Sequence, residues 1–204
     1  MKLRNFLFCC LIVYAPLAKA DSPLTSTYFA GNYYEYAVVE KAANGSGLTD
    51  EIAVFLLDKT TPIDAKAAAI NAIGWSYDGT KNADLWKGHL AKKYATTKEQ
   101  LQLSKLSADE LLCLGYFMAM DDYFHVDDAI HILEMAKNAK PESFTISMIL
   151  AMTKAQKAMD YDWCQVWKLT SDVLNDKSLK RDMKTASIQV VVDYMILYRS
   201  ECYY

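Results

Sequence analysis

Helix start and stop signals recur along almost the whole chain, and strand alternation is scarce. Thr61-Pro62 followed by Asp64, and Ser107 followed by Glu110, are helix openings. In the second pair, the serine hydroxyl and the glutamate carboxylate can each satisfy the other's backbone amide, which forms a capping box. Gly74 and the Asn44-Gly45-Ser46-Gly47 run are stops. Between these signals apolar residues return at helical spacing, as at Ile63, Ala67, Ile70 and Ile73.

This punctuation predicts helices over 25–43, from Thr49 onward, over 62–73 and over 82–94. A short helical stretch is expected from Lys98, then helices from Ser107 through Met120 and over 126–139. Further helices are expected in the segments after Pro141 and from Tyr161 to Asp176, and a last one over 180–202. Asp78-Gly79 marks a turn. The connections are short and no low-complexity linker interrupts them, so one all-α domain is expected. Antiparallel helices with short turns build either a compact bundle or a stack of helical hairpins wound into a superhelix.

The amino terminus reads differently. Met1 to Ala20 carries Lys2 and Arg4, then an apolar run from Phe6 to Ala15, then Ala18-Lys19-Ala20. A basic start, a short apolar run and a small-x-small site make a secretory signal peptide cleaved after Ala20. The run is too short for a spanning helix, which needs ~20 residues. The expected mature domain is 21–204, periplasmic or secreted and not inserted in the membrane. Cleavage removes Lys2, Arg4 and Lys19 from the 22 basic residues, which leaves 19 against 25 acidic ones and a net charge of −6. A nucleic-acid binder usually displays a basic surplus, so nucleic acid is not the expected partner.

Three cysteines follow the cleavage point: Cys113, Cys164 and Cys202. An odd count in an oxidising compartment allows at most one internal disulfide. Cys113 lies in the apolar stretch LLCLGYF and is expected in the core, which leaves Cys164 with Cys202. In a simple hairpin of two straight helices Cys202 overshoots the level of Cys164 by about nine residues, or roughly 13 Å. A bridge therefore requires the chain end to fold back.

The stretch MDDYFHVDDAIH, residues 120–131, concentrates four aspartates and two of the three histidines. His125, Asp128 and His131 offer nitrogen and oxygen donors suited to a divalent metal, and Asp128 and His131 share a helix face. The same residues also suit a plain turn, because acids favour a helix start. Asp78 to His89 echoes a calcium loop but has Ala83 and His89 where glycine and glutamate are needed. No nucleophile elbow and no glycine-rich phosphate loop is present, and no cofactor is implied. Asn44-Gly45-Ser46 matches a glycosylation acceptor. Fourteen tyrosines are present, densest around Tyr33, Tyr34 and Tyr36, where a tyrosine-rich face could meet a protein partner.

One segment resembles a tetratricopeptide repeat. Leu114-Gly115, Ala129, Ala136 and Pro141 fill the family's small-residue and proline places, where small side chains let two helices approach. Leu111 and Met118 stand where the family has aromatic residues, and the turn is about two residues longer than the family's. A weaker copy begins near Phe144, and TPIDAKAAAINAIGW is similar to a HEAT-type helix. The resemblance covers about a third of the mature chain. It implies an α–α superhelix and carries over no binding residue. The expected function is a non-enzymatic module that binds a protein or peptide, such as a small periplasmic inhibitor or immunity-type protein. The rivals are a metal-dependent hydrolase built on His125, Asp128 and His131, and a structural envelope component.

Overall fold

The computed structural model describes residues 22–45, 47–75 and 81–203. Nine α-helices lie among them: α1 (Ala37–Ala43), α2 (Asp50–Leu57), α3 (Ile63–Ile73), α4 (Asn82–Lys93), α5 (Ala108–Asp121), α6 (Asp127–Ala139), α7 (Phe144–Ala158), α8 (Trp163–Asn175) and α9 (Thr185–Met195). Three 3-10 segments occupy Ala30–Tyr33, Leu103–Lys105 and Ile196–Tyr203. The described residues contain no β-strand, so the fold class is all-α. The expected signal peptide, the expected turn at Asp78-Gly79 and Ser46 of the tripeptide that matches a glycosylation acceptor lie outside the described residues.

The local signals act as read. Thr49 Oγ1 accepts from the Ile52 amide at 3.3 Å, and Ser107 and Glu110 form the full capping box, with the Ser107 amide donating to Glu110 Oε2 at 2.7 Å. Gly74 ends α3 at φ 70°, a conformation that side chains with a Cβ rarely adopt. Pro62 itself occupies the capping position of α3, one residue earlier in the helix than expected.

Two expected helices are shorter than the periodicity suggests, and in both cases a distant residue takes the backbone. In the 25–43 segment, Asn71 of α3 accepts from the amides of Phe29 and Ala30 at 2.8 and 3.0 Å and donates to the Thr27 carbonyl at 3.1 Å. Those groups are then unavailable for helical bonds, so only a 3-10 turn and α1 remain. At the other end, Lys180 pairs with the chain before α7: its amide donates to Glu142 O at 2.7 Å and its carbonyl accepts from Phe144 N at 3.2 Å. Asp182 then caps α7 by accepting from Thr145 N at 2.8 Å. The last α-helix accordingly begins at Thr185, not near Lys180. The stretch after Lys98 stays non-helical until the turn at Leu103.

Helix α5 is central. It packs against α3, α4, α6 and α7, while α7 pairs with α6 and α8. Gly115 is where α5 meets α6 most closely: a Cβ there would lie 2.7 Å from Leu133 Cγ and 3.2 Å from the Ala129 carbonyl. Trp86, Phe117 and Tyr116 fill the core beside it, and the Tyr116 hydroxyl accepts from Asn71 Nδ2 at 3.2 Å. Burying rings of this size stabilises by roughly 2–3 kcal/mol each.

The amino-terminal segment of the described chain packs on α3, α7 and the start of α9. The 3-10 turn at Ala30–Tyr33 packs on α3 and α9, Tyr33 Oη donates to Asp64 Oδ2 at 2.7 Å and accepts from the Lys184 amide at 3.2 Å, and Ser22 hydrogen-bonds Gln156 of α7. Among the described residues no helix is long and apolar enough to cross a membrane.

Candidate functional site

The acidic stretch between α5 and α6 is divided among separate tasks. Asp121 faces inward and accepts from Ala83 N at 2.8 Å and from Asn82 Nδ2 at 3.0 Å, so it caps the start of α4. Burial pushes its carboxyl above the ordinary range, against the pull of those donors. Asp122 and His125 close the exposed turn, with Nδ1 3.0 Å from Oδ2. Asp127 pairs with Lys157 of α7.

His125, Asp128 and His131 are all exposed, and the structure does not gather them. Among the described residues, no three His, Cys, Asp or Glu side chains are placed to hold a metal ion. His125 precedes α6, and its ring is engaged by Asp122 in the turn.

The tyrosine cluster also separates. Tyr33 is only 1% exposed and is bound to Asp64 and Lys184, which corrects its assignment to a contact surface. Tyr36 is half-buried with its ring edge against Phe55 at 5.7 Å. Tyr34 stays accessible and shares a 2.7 Å hydrogen bond with Tyr28. Partial burial and that bond hold the Tyr28 hydroxyl up at about 12.

Cys164 and Cys202 are bonded, with Cα atoms 4.6 Å apart. The overshoot expected of a straight hairpin is absorbed by the path of the chain. Residues 176–184 run to α7 and the Tyr33 turn before α9 begins, so α9 starts away from α8. Its 3-10 continuation at Ile196–Tyr203 then returns along α8.

That return builds an aromatic surface. Tyr161, Trp163, Leu197 and Tyr203 are 68%, 50%, 64% and 74% exposed. Trp163 adjoins Cys164 and Tyr203 adjoins Cys202, so one covalent anchor holds both. The Trp163 ring lies 5.6 Å from that of Tyr198, which in turn lies 5.6 Å from Tyr194. Trp163 and Tyr203, exposed on either side of one disulfide, make a candidate contact surface. Sequence reasoning missed it, although aromatic residues flanking both cysteines were a usable signal. No family model, curated protein or solved structure matches this chain.

Proposed function

We propose that the chain is an exported, non-enzymatic helical module that binds a protein partner through the aromatic surface around Cys164–Cys202. The observation that carries this reading is the exposure of Trp163, Tyr161 and Tyr203 on a segment fixed by the bridge. Tryptophan and tyrosine dominate binding energy at protein interfaces, and rigid presentation lowers the ordering cost of binding. A structural disulfide persists in oxidising compartments, which supports the export expected from the amino-terminal twenty residues. The finer form of the proposal is a tetratricopeptide-like pair of helices, α5 and α6, within a small periplasmic inhibitor or immunity-type protein. The close approach at Gly115 supports that pairing.

The test is partner retention by the purified exported chain, compared with Tyr161→Ser/Trp163→Ser and His125→Ala/His131→Ala. A partner that binds saturably, is lost with the aromatic pair changed and is kept with both histidines changed is the expected result. Loss only with the histidines, restored by a divalent metal, overturns the reading in favour of a metal-dependent site.

A further inference from the structure

Two clefts approach each other where Asp109 of one lies 3.8 Å from Lys140 of the other. One, of about 510 Å³, lies beside the start of α5 and is lined by Lys59, Lys66, Lys93 and Lys105 over Leu56 and Leu106. The other, of about 480 Å³, lies between the starts of α3 and α9 and is lined by Lys140, Lys180, Arg181 and Lys184 beside Ile63 and Met183. Asp109 also lies 2.9 Å from Lys66. Together the linings hold eight cations and five carboxylates, in a chain that is acidic as a whole.

Most of the five carboxylates are already engaged. Glu110 holds Lys93, Asp109 holds Lys66 and Lys140, Asp182 caps α7, and Asp64 takes the Tyr33 hydroxyl. Glu142 is the remaining one. Lys59, Lys105 and Lys180 are exposed, and among the described residues no carboxylate oxygen lies within 4.0 Å of any of them. These three are spread over both clefts.

The chemistry narrows the occupant. Arg181 is occupied, with its guanidinium 4.3 Å from the Phe144 ring centre and Nη2 donating to Leu174 O at 2.5 Å. Arg181 is the one guanidinium in the two linings, tied to the start of α7 and the end of α8, and the other seven cations are single ammonium groups that lack the fork suited to bidentate phosphate binding. What remains is separated ammonium charge above apolar floors, which suits side-chain carboxylates set at intervals along an extended polypeptide. We propose that this double cleft docks an acidic protein segment laid across Asp109, at a surface distinct from the aromatic one and independent of it.

The test is fluorescence anisotropy with a labelled Glu-Gly repeat peptide and the purified exported chain. Saturable binding that weakens as sodium chloride is raised is expected. Lys105→Glu/Lys180→Glu should weaken it by about tenfold or more, and the charge-matched Lys168→Glu/Lys177→Glu should change it by less than about twofold. Lys105→Gln/Lys180→Gln, with an unchanged unfolding midpoint, should show a smaller loss in the same direction. Absence of saturable binding, or equal loss in both charge-reversal variants, overturns the proposal. Tighter binding of inorganic polyphosphate or single-stranded DNA through Lys105 and Lys180 overturns the assignment to an acidic protein segment.

Discussion

The Lys66 ammonium lies 2.9 Å from the Asp109 carboxylate, and the two are unequally buried: 3% of the lysine side chain is exposed against 25% of the aspartate's. The lysine therefore depends on the aspartate more than the reverse. Removing Asp109 leaves a buried charge with no partner, whereas replacing Lys66 with an apolar residue of similar length removes both the charge and its desolvation cost. Asp109→Ala should lower the unfolding free energy by about 3–5 kcal/mol, and Lys66→Met should leave it unchanged or raise it. Denaturant titrations of the two variants check this. Equal losses would show that the pair is worth its own strength and not merely a neutralised burial.

Gly115 sits in α5 because of α6. Alanine favours a helix interior by about 1 kcal/mol over glycine. Here that gain is outweighed, because the added methyl would lie 2.7 Å from Leu133 Cγ, a branching atom that cannot simply swing aside. Gly115→Ala should cost about 1–2 kcal/mol net. Shortening the opposing side chain with Leu133→Ala should remove that cost, so the double variant should be more stable than the two single losses added together. Thermal melts of the four proteins give the coupling, and simple additivity would place the strain elsewhere.

The helices legible in the sequence are those whose ends are set by neighbours in the chain. Thr49, Ser107 and Gly74 act within four residues of themselves, and Gly115 and Ala129, singled out by the tetratricopeptide resemblance, lie where α5 meets α6. The illegible parts depend on long-range partners. Asn71 reaches back more than forty residues to unmake the start of a helix, and its donors and acceptors are invisible to periodicity. Tyr33 falls on a plausible contact face until Asp64 and Lys184 enclose it. The Cys164–Cys202 bridge was legible as the remaining pair, but its geometry was not, because it turns on Lys180 and Asp182 binding the start of α7.

Glu110 gives stability a defined pH dependence. Burial opposes its ionisation, but Lys93 Nζ at 2.6 Å, the Ser107 amide and the Tyr94 hydroxyl together outweigh that and hold its carboxyl below the ordinary value of 4.5. A depressed carboxyl contributes stability that is complete above its unfolded value and is lost as pH falls through the folded one. Wild type should therefore exceed Glu110→Gln by a constant margin of about 2–3 kcal/mol at neutral pH. The margin should narrow as pH drops below 4.5. Asp121, whose carboxyl is raised, acts with the opposite sign: its contribution is fullest below its unfolded value of 3.8 and declines as pH rises through the folded one. Urea titrations at several acidic pH values test this, and a margin independent of pH would remove Glu110 as the source.

The bridge closes a loop between residues 38 apart in sequence. Closing a loop of this length restricts the unfolded chain by an amount worth about 4 kcal/mol, an upper figure since native packing rarely realises it in full. Cys164→Ser/Cys202→Ser should thus lose about 2–4 kcal/mol, and limited proteolysis should now cut within 196–203, where the return along α8 loses its covalent tie. The third cysteine supplies an internal control. Cys113 is fully buried in α5, and burial pushes its thiol well above the ordinary range, so it is both inaccessible and protonated. Of Cys113, Cys164 and Cys202, iodoacetamide should label none in the folded, oxidised protein and only Cys113 once the protein is unfolded without reductant. Labelling of Cys164 or Cys202 under either condition would mean that the chain end is not tied to α8, and the aromatic surface would then lose the rigidity on which its proposed role depends.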